Sequence, residues 1–103
     1  MEQINTEKFD ELLKGEKPVV CDFFATWCGP CKMLAPVFEE VAADFADKAV
    51  FVKVDVDQNG ELAARYGIMS IPFVAVFKNG EQTAKNLGYI GKKELGAFLE
   101  ENL

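Results

Sequence analysis

Histidine is absent from this chain of 103 residues, and cysteine occurs only three times. Structural zinc sites are overwhelmingly tetrahedral sets of Cys and His. A zinc centre here would have to recruit the few cysteines, Cys21 among them, together with a carboxylate, so no metal is expected. Positive charge is also scarce, with 11 Lys and Arg against 17 Asp and Glu, a net charge of −6 at pH 7. Nucleic acid and anionic membranes both demand cationic protein surface, so neither is expected as a partner. No stretch approaches the roughly 18 consecutive apolar residues of a membrane span. The opening Met1-Glu-Gln-Ile-Asn-Thr-Glu7 has neither the basic start nor the apolar middle of a secretion signal, so a cytoplasmic location is expected. There is no linker, repeat or low-complexity stretch. A hydrophobic content of 50% suffices for one core, and residues 1–103 are expected to form a single domain.

What is present is Trp27-Cys28-Gly29-Pro30-Cys31, with β-like sequence before it (Pro18 to Ala25) and Leu34, Val37, Phe38, Val41 and Phe45 at helical spacing after it. Cys28 therefore falls where a strand hands over to a helix. The first amides of a helix lack intrahelical partners and the peptide dipoles leave partial positive charge there, which favours a thiolate over a thiol. Cys28 is expected to be exposed in the cap, and Cys31, one turn on, to face inward. Thiol–disulfide exchange needs such a pair: Cys28 attacks a substrate sulfur, and Cys31 resolves the mixed disulfide. Pro30 suits the first turn, where its missing N–H costs nothing, and Gly29 lets a partner's backbone come close. Alternatives are weaker. As a structural staple, a four-residue loop would contribute roughly 2 kcal/mol, against about 3 for a fifteen-residue loop. Two unrelated buried thiols would not account for the Gly-Pro between them. In a reducing cytosol, permanent bridges are rare, which favours a cycling disulfide.

Periodicity predicts a short edge strand at 2–5, a helix from Thr6 to about Leu13 ended by Gly15, a strand at 18–25 and a long helix at 30–47 kinked by Pro36. A strand at 49–56 and a helix from Asn59 to Tyr66 closed by Gly67 follow. Phe73–Lys78 and Gln82 to Leu87 flank Asn79-Gly80, the strongest short hairpin signal. A last helix carries Leu95, Phe98 and Leu99 on its buried stripe. This order implies an α/β fold: a central mixed sheet, parallel crossover units plus a C-terminal antiparallel hairpin, with helices on both faces.

Asp22 stands out as an acid within Val-Val-Cys-Asp-Phe-Phe-Ala. Burying an unpaired carboxylate costs several kcal/mol, and a raised pKa is the expected relief. Six residues before Cys28, it could reach Cys31 directly or through water and carry that thiol's proton. A partly wet strand face is the alternative. Alternation puts Cys21 on the opposite face, where it should behave as a small inert hydrophobe.

Five blocks, in order, carry a resemblance over nearly the whole chain: Asp22-Phe-Phe-Ala-Thr-Trp-Cys-Gly-Pro-Cys-Lys32, Val54-Asp55-Val56-Asp57 after Lys53, Tyr66-Gly-Ile-Met-Ser-Ile-Pro72, Phe77-Lys-Asn-Gly80 and Gly88. They resemble the thioredoxin family. The resemblance implies the thioredoxin fold and a general protein-disulfide reductase with a redox-active Cys28–Cys31 disulfide. It implies Lys53 as the cation that tunes Asp22, an exposed strand lysine being the plain alternative, and no cofactor beyond the dithiol. It further implies a cis Ile71–Pro72 bond, beside which the main chain of Ile71 pairs with an extended substrate. Trp27, Gly67, Ile68, Gly88 and Tyr89 would line an apolar patch around it, although Trp27 as core, Gly67 as a helix cap and Gly88 as a turn are the plain structural alternatives. The implied partners are a thioredoxin reductase, either a flavoprotein or a ferredoxin-linked enzyme, and oxidised proteins such as peroxiredoxins and reductases with cycling disulfides; a monomer is expected. Two departures lie near the site: Phe73, where threonine is common, and Phe24, where a second tryptophan is frequent. Either could shift partner choice. A dithiol oxidase or isomerase on the same fold, or an accessory binding module, are the alternative functions.

Overall fold

The computed structural model describes residues Met1–Leu103. The chain runs β1 (Glu2–Gln3), α1 (Thr6–Leu13), β2 (Val19–Phe24), α2 (Gly29–Asp44), β3 (Val50–Asp55), α3 (Gly60–Arg65), β4 (Phe73–Lys78), β5 (Glu81–Leu87) and α4 (Lys92–Asn102). The five strands form one sheet in the order β1-β3-β2-β4-β5. β1, β3 and β2 are mutually parallel, while β4 runs antiparallel to both β2 and β5. The expected architecture and every expected element are present.

β2 lies at the centre, and all six of its residues are buried. That explains its near-continuous apolar sequence, because a strand covered on both faces has no polar side to present. Side chains alternate between two core layers. On one face Cys21, Phe23, Val52, Val54, Phe73, Ala75 and Phe77 pack with Phe9 of α1 and Leu62 of α3. On the other, Val20, Val74 and Val76 pack with Leu34, Phe38 and Val41 of α2 and with Leu95 and Leu99 of α4. Phe9 anchors the first layer through an edge-on contact with Phe77, their ring centroids 5.0 Å apart.

Some boundaries differ from the periodicity reading. α2 stops at Asp44 rather than near 47, because Phe45 (φ −118°) leaves helical geometry and a turn closes with Lys48 N–H donating to the Phe45 carbonyl at 2.9 Å. Phe45 and Ala49 are thereby both buried in the second core layer. Pro36 sits inside α2 without breaking it. The hairpin turn has Asn79 and Gly80 at φ 54° and 80°, the left-handed pair that a two-residue connection with matching strand twist requires. α1 is capped by the Asn5 side chain, which accepts from Lys8 N–H at 2.9 Å. α3 ends in a pair of bonds from Gly67 N–H to the Ala64 carbonyl (3.1 Å) and from Ile68 N–H to the Ala63 carbonyl (2.9 Å), with Gly67 at φ 61°. This is the Schellman arrangement, and it confirms Gly67 as a cap.

Candidate active site

Beyond the end of β2, Ala25-Thr26-Trp27 lead to Cys28, which occupies the N-cap of α2 with an extended backbone (φ −86°, ψ 113°). Gly29 and Pro30 form the first helical positions, so Cys31 is the third. Its N–H donates to Cys28 Sγ at 3.2 Å. A capping Ser or Asp accepts from the same amide in an ordinary helix; here a sulfur takes the oxygen's place. The cap bond and the helix dipole thus converge on one atom, and both favour negative charge on it.

Cys28 and Cys31 are joined as a disulfide, with Cα atoms 5.2 Å apart. The expectation of an exposed Cys28 is not met, since it retains 5% exposure and Cys31 3%. The cause is packing. The pair forms a small apolar cluster with Phe24 and Ala25, flanked by Val56 and Ile71, and Cys28 Sγ lies 3.8 Å from the Ile71 carbonyl oxygen. Each sulfur also shields the other in the oxidised state.

The Ile71–Pro72 peptide is cis. Gly88 N–H donates to the Pro72 carbonyl at 2.8 Å, which ties the end of β5 to this loop. Neither the N–H nor the C=O of Ile71 bonds to another backbone group. Trp27 is 70% exposed, which excludes a core role, and its Nε1–H donates to Asp57 Oδ2 at 2.7 Å. Asp57 N–H in turn donates to the carboxylate of buried Asp55 at 2.9 Å, and Asn59 Nδ2 to the Asp55 carbonyl at 3.0 Å. Asn59 Oδ1 then accepts from the Thr6 N–H at 3.0 Å. The segment 55–59 is therefore a bracket running from the start of α1 to the indole. Sequence reasoning assigned these residues no role; the alternation of Asp55 and Asp57 at a strand end was the one local sign.

The recognition residues are only partly gathered. Gly88 (φ 86°) and half-exposed Tyr89 adjoin the cis-proline loop. Ile68, expected to line the patch, is partly buried and packs against the core layer of α1 and α3. Met69 and Met33, which sequence reasoning left out, are exposed. Phe73 is buried edge-on against Phe23, centroids 5.9 Å apart, and offers a partner no surface.

Asp22 is 1% exposed, and its Oδ1 has no hydrogen-bond partner. Burial pushes its carboxyl up to about 6, with Lys53 opposing the shift. The partly wet alternative is thereby excluded. Lys53 is Asp22's register partner on β3, yet it forms no ion pair with it; its Nζ stands 4.4 Å from the centre of the Phe24 ring. Lys53 and Cys31 line a pocket of about 200 Å³ with Phe24, Ala25, Thr26, Lys32 and Ala35. A larger hollow of about 340 Å³, lined by Met1, Glu39, Ala42, Ala43, Ala46, Ala49 and Phe51, holds no part of this chemistry. Cys21 is fully buried on the opposite face of β2, where burial and then the neighbouring Asp22 push its thiol well above the usual range. No group of three or more Cys, Asp or Glu side chains is arranged to hold a metal ion.

The thioredoxin family model matches residues 1–101. The chain belongs to the thioredoxin family. It is 51% identical over 96 residues to the thioredoxin of Mycoplasmoides gallisepticum, covering 93% of this chain and 95% of that one. It is 46% identical over 101 residues to the thioredoxin of Staphylococcus haemolyticus, covering 98% and 96% respectively. Its fold superposes on a Plasmodium falciparum thioredoxin with a TM-score of 0.92 at 36% identity, covering both chains completely. A family member with this cysteine pair is a protein-disulfide oxidoreductase working by dithiol–disulfide exchange. Thioredoxins as a class take electrons from reductase partners and deliver them to disulfide substrates.

Proposed function

We propose that in this reductase the reduced Cys28 is the attacking thiolate, Cys31 the resolving thiol, and Asp22 the group that carries the Cys31 proton. The observation that carries the reading is the 3.2 Å bond from Cys31 N–H to Cys28 Sγ at the helix cap, because it favours charge on one sulfur and not on the other. Asp22 suits proton transfer at neutral pH, since a carboxyl poised near 6 can both take and give a proton there. Lys53, beside it in register, restrains that upward shift. Gly29 and Pro30 shape the turn between the sulfurs.

Access is the remaining question, given how little of Cys28 is open. An extended substrate segment laid along the N–H and C=O of Ile71, which no other backbone group engages, would bring its own sulfur alongside Cys28 Sγ. Main-chain pairing of that kind makes no demand on sequence, which suits a general reductase. Trp27, Gly67, Gly88 and Tyr89 surround the path, and Pro72 holds it. The chain would work as one domain and as a monomer, with no bound cofactor, in the cytoplasm. A thioredoxin reductase, either flavoprotein or ferredoxin-linked, would supply electrons, and peroxiredoxins and reductases with cycling disulfides would receive them.

The test is dithiothreitol-driven reduction of a protein with an inter-chain disulfide. A Cys31→Ser variant should accumulate a mixed disulfide through Cys28, and Cys28→Ser should neither turn over nor form one. Trapping through Cys31 instead would overturn the assignment of roles.

A further inference from the structure

Met69 is the most exposed large apolar side chain of the protein, at 96%. It stands in the loop between Gly67 and the cis Ile71–Pro72 bond, two residues from the carbonyl that lies 3.8 Å from Cys28 Sγ. The loop is fastened at both ends, by the Schellman bonds of Gly67 and Ile68 and by the Gly88 N–H on the Pro72 carbonyl. Ile68 turns inward to the core, while its neighbour Met69 has almost no packing. Folding does not account for this residue, since an apolar side chain left in water forgoes the gain from burial. A flexible, polarizable thioether does suit a surface that must accept partners of varied shape.

The geometry points to Met69 as a contact residue of the substrate-docking surface whose oxidation to the sulfoxide weakens docking while leaving the dithiol chemistry intact. This rests on the recognition role proposed above for the Ile71–Pro72 loop. The oxidant is a hydroperoxide. The sulfur lone pair attacks the terminal peroxide oxygen, an S–O bond forms as the O–O bond breaks, and the departing oxygen takes the hydroperoxide's proton and leaves as water or an alcohol. Sulfur loses two electrons and the peroxide gains two. The product is polar where the thioether was apolar. Met33, 59% exposed on α2, is an internal control, because it faces solvent from a helix and not from the docking loop.

The protein is treated with hydrogen peroxide in its disulfide form, which shields Cys28 and Cys31, and is then reduced with dithiothreitol, which leaves sulfoxides in place. Peptide mapping should find the sulfoxide at Met69. KM for a protein disulfide should rise by about tenfold, the scale of one lost apolar contact, with kcat and the rate toward a small aromatic disulfide unchanged by treatment. Met69→Leu should abolish the response to peroxide, Met33→Leu should preserve it, and Met69→Gln should raise KM without peroxide. The inference is overturned if peroxide raises KM equally in Met69→Leu, or if Met69→Gln keeps the original KM. Trp27→Ala separates the two levels. A raised KM there with none in Met69→Gln removes only this inference, whereas no change in either removes the docking role itself.

Discussion

A carboxyl with its Oδ1 unpartnered under the sheet is a thermodynamic liability, and Asp22 makes the cost measurable. Its folded value of about 6 lies above the ordinary carboxylate range, so the folded state holds the proton more tightly than the unfolded chain does. Stability therefore falls as pH rises from about 4 to 6 and stays low above that. A shift of about two units corresponds to on the order of 3 kcal/mol. Asp22→Asn in the disulfide form should gain roughly that much at pH 7 and almost nothing at pH 4, as read by urea denaturation at the two pH values. With Asp22 as the proposed carrier of the Cys31 proton, the same variant should slow substrate reduction near neutrality by at least about tenfold. A variant that is stabilised but fully active would leave Asp22 as strain without function. At this scale much was legible in the sequence: a lone acid in an apolar strand and a cysteine pair at a strand–helix junction are local signals. The burial of Cys28 was not legible, because it depends on Ile71 and Val56, which reach it from distant parts of the chain.

Among the elements, the segment joining β3 to α3 is the one whose importance was hidden. Thr6, Asn59, Asp55 and Asp57 form their bonds across separations as large as 53 residues, which no local pattern encodes. Asp57→Ala should release the indole of Trp27. Because the chain holds a single tryptophan, its fluorescence reports this directly: anisotropy should fall and iodide quenching rise. On the docking role proposed for Trp27, KM for protein substrates should rise more than kcat falls, since a freed indole would have to be ordered again on each docking. Asp57→Asn, which keeps a carbonyl acceptor, should restore most of the native signal. Unchanged anisotropy in Asp57→Ala would mean that packing, not the 2.7 Å hydrogen bond, holds the ring. The helices and the hairpin, by contrast, were readable from 3.6-residue periodicity and from Asn79-Gly80. The early end of α2 was not, because the turn at 45–48 answers to the need to bury Phe45 and Ala49 in the tertiary core.

Across the whole molecule, stability should be graded outward from β2. Paired on both edges and covered on both faces, its amides should exchange hydrogen only through global unfolding, together with those of β4. β1, two exposed residues paired on one side, should exchange orders of magnitude faster, and native-state exchange followed by mass spectrometry would resolve the gradient. Equal protection in β1 and β2 would contradict it. The sheet also separates chemistry from support along its length. Each of β4 and β5 has one end by the cis-proline loop and the other at Asn79-Gly80, about six residues or roughly 20 Å away. That turn borders the last turn of α1, where the Leu13 carbonyl is its neighbour. A fluorophore or an extra peptide grafted there would ride on the far pole of the protein, and electron delivery at the other pole would proceed undisturbed.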